Sequence, residues 1–193
     1  AEFDVKQTAC QVEMKTNYPW EGKVKIILHP KNPQKFRISI RIPGWTKGRF
    51  IPGGLYTYVD QLPQDIYLNV NGKKETITND SLIILNRKWK KGDEIELVLP
   101  LKPRLIKSDR RITENEGRLA IVNGPLVYAI EGIDNGGSVK DSRIDADQDL
   151  QQVYEDGLLN GVTRIRTGNL IAIPYYSWAN RGSSDMKVWI PEN

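Results

Sequence analysis

Apolar residues recur at every second position through much of this chain, and turn-forming residues interrupt them so often that no segment before Pro103 has room for a long helix. Phe36, Ile38, Ile40 and Ile42 alternate with Arg37, Ser39 and Arg41. Successive strand side chains point to opposite faces, so this spacing puts the apolar set inward and the charged set in water. Val24, Ile26 and Leu28 alternate with Lys23 and Lys25 in the same way, as do Ile95, Leu97 and Leu99 with Glu94 and Glu96. Turn signals stand at Pro19, Pro30, Pro33, Pro43-Gly44, Pro52-Gly53-Gly54, Gly92-Asp93 and Pro100. Between Ile66–Val70 and Lys73–Thr78 lies Asn71-Gly72, a pair that supplies the two positive φ angles of a tight hairpin turn.

A second β unit is expected to begin near Leu105. Leu119–Val122 and Leu126–Ile130 flank a Gly124-Pro125 break, Gly132–Leu150 reads as a long loop, and a short helix is expected around Asp149–Leu159. Strands resume at Val162–Arg166 and Leu170–Ile173, and Met186–Ile190 forms the last. Short strands between frequent turns predict sandwiches or barrels, and 193 residues allow one or two such modules. The apolar run Leu82–Leu85 is far short of the roughly 20 residues of a membrane helix. The first five residues lack the basic-then-apolar pattern of a signal peptide, so any export signal is expected on a longer precursor, and the compartment is not readable.

Lysine and arginine exceed aspartate and glutamate by 28 − 24 = 4, with the cations scattered. Arg87–Lys91, with Trp89 inside it, and Lys107–Arg111 are the tightest basic clusters. They offer phosphate contacts with one stacking ring. Basic loops are ordinary solvated surface, however, and no nucleic-acid partner is predicted.

Several longer segments resemble one family. Thr16-Asn17-Tyr18-Pro19-Trp20-Glu21-Gly22, Arg41-Ile42-Pro43-Gly44-Trp45, Val70-Asn71-Gly72 and Trp89-Lys90-Lys91-Gly92-Asp93 are similar to the C-terminal region of glycoside hydrolase family 127, the β-L-arabinofuranosidase-like proteins. Asn123-Gly124-Pro125-Leu126-Val127-Tyr128, Glu131 with Asp134-Asn135, Pro174–Gly182 and Val188-Trp189 continue the resemblance in order, from about Val12 to Pro191. The resemblance implies an N-terminal α/α barrel that carries the chemistry, followed by two β-sandwiches, of which this chain is the sandwich part. It implies an all-β fold of two antiparallel β-sandwich modules, residues 1–104 with 185–193 and residues 105–184. The second would be inserted before the final strand of the first. The implied partner is the catalytic barrel of a parent protein, with plant-type glycans as a further partner and no membrane. A polysaccharide-degrading parent would place the chain in a periplasm or outside the cell.

The same resemblance draws attention to Cys10, because family members are thought to use a zinc-bound cysteine as nucleophile. Those ligands lie upstream of the Tyr-Pro-Trp segment and include an adjacent cysteine pair that is absent here. A zinc site needs three or four ligands, and this chain has one cysteine and one histidine, so no metal and no cofactor are predicted. Cys10 reads as a small hydrophobe and His29 as a surface residue. Glu114/Glu116, Glu131/Asp134 and Glu155/Asp156 are carboxylate pairs of the kind glycoside hydrolysis uses, but 24 acidic residues generate such pairs by chance. No catalytic residue is therefore assigned. Asp145-x-Asp147-x-Asp149 opens like a calcium loop, yet Leu150 stands where that loop needs glycine and Asp156 where it needs glutamate, so a solvated loop is expected.

Aromatic residues remain. Trp20, Trp45, Trp89, Tyr175, Tyr176 and Trp178 have the flat faces on which sugar rings pack, although corner and interdomain packing explains most such residues. Tyr175, Tyr176 and Trp178, with Asn180 and Arg181 to bond hydroxyls, form the carbohydrate-binding candidate. The sequence therefore reads as a non-catalytic support for a glycoside hydrolase barrel, inactive alone, with a carbohydrate-binding module as the alternative. A self-sufficient glycosidase is a third reading.

Overall fold

The structure, a computed structural model, describes residues 1–5, 8–61, 65–78 and 81–193. Among these residues seventeen strands follow one another: β1 (Glu2–Val5), β2 (Thr8–Thr16), β3 (Lys23–Pro30), β4 (Gln34–Arg41), β5 (Tyr56–Tyr58), β6 (Tyr67–Val70), β7 (Lys73–Lys74), β8 (Leu82–Trp89) and β9 (Asp93–Val98) in the first half. The second half holds β10 (Pro103–Ser108), β11 (Arg118–Asn123), β12 (Leu126–Glu131), β13 (Gln151–Glu155), β14 (Val162–Thr167), β15 (Leu170–Pro174), β16 (Met186–Lys187) and β17 (Ile190–Pro191). Four single 3-10 turns are the only helical elements among the described residues, and no helix there is long and apolar enough to cross a membrane. The all-β expectation holds, and all paired strands of the three sheets run antiparallel.

The chain forms two compact units, Ala1–Lys47 with Gln64–Pro100, and Gly48–Pro63 with Leu101–Asn193. The first unit has a six-stranded sheet, β1-β2-β3-β9-β6-β7, and a two-stranded sheet, β4-β8. Alternation decides which faces are inward: Ile83, Leu85 and Trp89 of β8 are buried while Leu82, Ile84, Asn86 and Lys88 are exposed. In β9 Ile95 and Leu97 are buried, and Glu94 and Glu96 between them meet Lys25 at 2.8 Å and Lys23 at 2.7 Å across the β3 pairing. Such surface pairs contribute little because solvent screens them, so the sheet rests on its apolar face. The predicted hairpin is present, with Asn71 at φ 52° and Gly72 at φ 76° between β6 and β7.

One nine-stranded sheet makes the second unit, in the order β13-β14-β15-β12-β11-β10-β5, with β16 beside β12 and β17 beside β11. Residues 119–123 are all buried, which alternation alone does not give. One face of β10 and β11 presents Leu105, Leu119 and Ile121 to a core that includes Val139 and Ile144 from the long loop. The other presents Ile106, Ala120 and Val122 to Phe50, Tyr56, Tyr58, Val188 and Trp189. The sheet also curls. Asn123 Nδ2 on β11 donates to Gln152 Oε1 on β13 at 3.3 Å, although three strands lie between them in the sheet. A flat sheet would hold those strands about 19 Å apart at ~4.8 Å per step.

Two sequence expectations change. Residues 149–159 contain no helix: Gln151–Glu155 pairs along β14, from Gln151↔Arg166 to Glu155↔Val162. The chain also divides otherwise than the expected 1–104 with 185–193 and 105–184. β11 and β12 pair only at Val122↔Val127 and Asn123↔Leu126 before they separate, leaving backbone groups open at Arg118–Leu119 and Ile130–Glu131. β17 pairs at the first place and β16 at the second, so the final strands satisfy buried amides of the second unit rather than completing the first. Residues 48–63 join the second unit too, through the β5–β10 pairing and the aromatic cover of that sheet.

Candidate functional site

β15 ends at Pro174, whose partner on β12 is Tyr128, and the chain then leaves the sheet in a 3-10 turn, Tyr175–Ser177. Ser177 Oγ donates to the Pro174 carbonyl at 2.7 Å and Trp178 N to the Tyr175 carbonyl at 3.3 Å, which closes the turn. Ala179 follows at φ 62°, a left-handed conformation that costs a residue with a Cβ about 1–2 kcal/mol. What holds it there is Glu131 at the end of β12, whose Oε1 accepts from Ala179 N at 2.8 Å.

Glu131 is 1% exposed and belongs to a buried ionic network. Arg181 Nη2 donates to Glu131 Oε2 at 2.6 Å, and Arg181 Nη1 to Asp134 Oδ1 at 2.8 Å. Arg164 on β14 stands 3.4 Å from Asp134 and 3.3 Å from Glu155. Asp134 first, and Glu131 with it, raise the already high pKa of Arg181 against the opposing effect of burial. Asn135 ties the same corner to β15, exchanging hydrogen bonds with Ile171 N at 2.9 Å and Ile171 O at 3.0 Å.

The turn carries three exposed rings. Tyr175, Tyr176 and Trp178 are 45%, 59% and 39% exposed, and the Tyr175 and Trp178 rings lie 6.4 Å apart and within 21° of parallel. The turn thus presents an aromatic ridge fixed by buried charge beneath it. Asn180 and Arg181, expected to bond hydroxyls, have their donors turned inward: Asn180 Nδ2 donates to the Ser177 and Trp178 carbonyls at 3.1 and 3.3 Å. All five predicted residues therefore meet in one place, with the Asn180 and Arg181 donors bonded within the turn and its base.

The other singled-out residues have structural places. Cys10 is 1% exposed on β2, and burial raises its thiol pKa. His29 Nε2 lies 3.6 Å from Glu13. Glu131 and Asp134 share Arg181, and Glu155 faces Arg164. Asp145 accepts from Asn193 at 2.7 Å and Asp149 from Gln151 at 3.0 Å. Among the described residues no three His, Cys, Asp or Glu side chains are grouped to hold a metal. Trp89 is fully buried with Nε1 on the Phe36 carbonyl at 3.1 Å, which removes the one ring offered for base stacking. Arg164 was not readable as part of the network, because its partners lie 9 and 30 residues away with no shared periodicity.

Comparison with known proteins covers the whole chain. Residues 1–101 match the family model for the β-L-arabinofuranosidase GH127 middle domain, and residues 103–191 that for the glycoside hydrolase family 127 C-terminal domain. A non-reducing end β-L-arabinofuranosidase of Bifidobacterium longum subsp. longum is 27% identical over 212 residues, which cover 92% of this chain and 30% of that protein. A solved GH127 β-arabinofuranosidase superposes with a TM-score of 0.93 at 33% identity, over 100% of this chain and 33% of its own. A GH127 β-L-arabinofuranosidase from Geobacillus stearothermophilus T6 gives 0.86 at 28% identity, over 100% of this chain and 32% of its own. The chain thus spans about a third of the length of these relatives.

Proposed function

Because this chain belongs to glycoside hydrolase family 127, whose middle and C-terminal domain models together span it, we propose that it is the non-catalytic β portion of a β-L-arabinofuranosidase-like hydrolase. In this reading it supports a catalytic domain carried by the rest of a longer parent. The observation that carries the reading is the state of the acidic residues. Among the described residues, the well-buried carboxylate pair Glu131 and Asp134 is neutralised by Arg181 and serves to fix a surface turn. The parent would be a glycoside hydrolase acting on β-L-arabinofuranosides, as the names of the relatives state for them. Assay of the chain alone on an aryl β-L-arabinofuranoside tests this, with no turnover expected.

A second reading rests on the ridge. Three rings 39–59% exposed, on a turn locked from below, offer apolar faces that suit the C–H side of a sugar in an arabinose-containing glycan. If the ridge binds such glycans, titration with arabino-oligosaccharide shifts the Trp178 indole NMR signal saturably and leaves the buried Trp89 indole still. If it packs on a catalytic domain instead, no indole moves at tens of millimolar sugar.

A further inference from the structure

A cleft of ≈ 580 Å³ opens in the second unit, walled by Val59–Asp60, by the start of β10 and by the 146–152 segment. Its floor is a fixed cation. Arg104 is 8% exposed, and its guanidinium lies 3.4 Å over the Tyr58 ring while Nε and Nη2 donate to the Asp60 carboxylate. The remaining nitrogen, Nη1, is buried and has no hydrogen-bond partner. An orphaned buried donor is costly. The rim adds side chains with no ion pair or hydrogen bond of their own among the described residues, Lys102 and Asp147, both exposed. Gln148, Asp149 and Gln152 complete it, and Val59, Pro103 and Leu150 supply apolar surface between them.

The chemistry of the lining selects the ligand. Lys102 and Arg104 stand against Asp60, Asp147 and Asp149, so the cleft is nearly charge-balanced and has no cationic excess for a phosphate or polyanion. No group of three metal-binding side chains occurs there, so it is no cation cage. Carboxylates only accept, ammonium and guanidinium only donate, and glutamine amides do both. A ligand whose groups each donate and accept satisfies such a mixture, and hydroxyls do. The volume falls in the range of about 300–1,000 Å³ that small-molecule sites occupy. We infer that this cleft binds a neutral polyhydroxylated ligand, one or two sugar residues of a glycan, with Asp147 and Lys102 bonding hydroxyls and Val59, Pro103 and Leu150 against the ring. The site is separate from the aromatic ridge and does not depend on it.

Backbone-amide NMR of the chain, titrated with L-arabinose, an arabino-oligosaccharide and inorganic phosphate, tests the inference. The expected result is saturable shifts at residues 102–105 and 146–152 with the sugars and none with phosphate. Asp147→Ala, at an exposed position where folding is not at stake, weakens that binding at least about tenfold, the loss of one charge-assisted hydrogen bond. Trp178→Ala leaves it unchanged. Absence of sugar shifts at those amides at tens of millimolar, or equal shifts with phosphate, overturns the proposal. Shifts confined to residues 175–178 would also overturn it, while supporting the ridge as the sugar site.

Discussion

Arg181→Ala lowers the stability of the second unit by about 3–5 kcal/mol, measured as a fall in the urea midpoint at unchanged slope. The size follows from what stays behind. Glu131 is 1% and Asp134 7% exposed at the side chain; both lose Arg181, and while Asp134 keeps Arg164 at 3.4 Å, Glu131 is left without the cation it pairs with. Taking one partner from a buried pair costs far more than the pair contributes, because the remaining charge is uncompensated. Arg181→Lys recovers only part of the loss, since a point ammonium cannot reproduce the fork that reaches Asp134 with Nη1 and Glu131 with Nη2. The ridge should loosen with the network. Glu131 Oε1 is the acceptor that holds Ala179 in its left-handed conformation, so acrylamide quenching of Trp178 fluorescence rises in the variant. A midpoint within about 1 kcal/mol of the parent chain would mean that the network is not the support of the turn.

Trp89→Ala costs the first unit a further large amount, about 3–5 kcal/mol. Its ring is wholly buried at the end of β8, 6.2 Å from Phe36 on the paired strand β4, and its indole N–H satisfies the Phe36 carbonyl. Alanine removes the largest fully buried side chain among the described residues and leaves that carbonyl without the indole donor. Trp89→Phe separates the two contributions, keeping most of the volume and losing the hydrogen bond, and should cost roughly 1–2 kcal/mol. Intact near-ultraviolet circular dichroism and an unchanged unfolding midpoint in Trp89→Ala would show that the ring is not part of the core.

Residues whose position alone fixes their environment were legible in advance. Alternation marked the inward faces of β8 and β9, and Asn71-Gly72 marked the hairpin, because both signals are local and depend on backbone geometry. Non-local choices were not. Nothing in Met186–Pro191 tells it to enter the gap where β11 and β12 separate, and nothing in Gln151–Glu155 shows that its alternation meets a partner strand rather than water. Both were settled by which backbone groups elsewhere needed partners. At the ridge the sequence grouped five residues that lie within seven positions and that the fold keeps together, but it did not show that the donors of Asn180 and Arg181 are used within the chain. Residue type reveals hydrogen-bonding capacity, and only the fold reveals where it is used. The Arg104–Asp60 pair, 44 residues apart, left no trace in the sequence at all.

Catalysis by the chain itself is the property that separates a supporting role from an enzyme's. The decisive measurement is release of the aryl group from an aryl β-L-arabinofuranoside by the purified chain, with and without added zinc and thiol, against buffer and against a longer family member. A supporting role predicts a rate indistinguishable from buffer under every condition, while the longer protein turns the substrate over. Turnover that stays with this chain through repurification, and that falls when one of its carboxylates is substituted, would contradict it and make the chain a glycosidase in its own right.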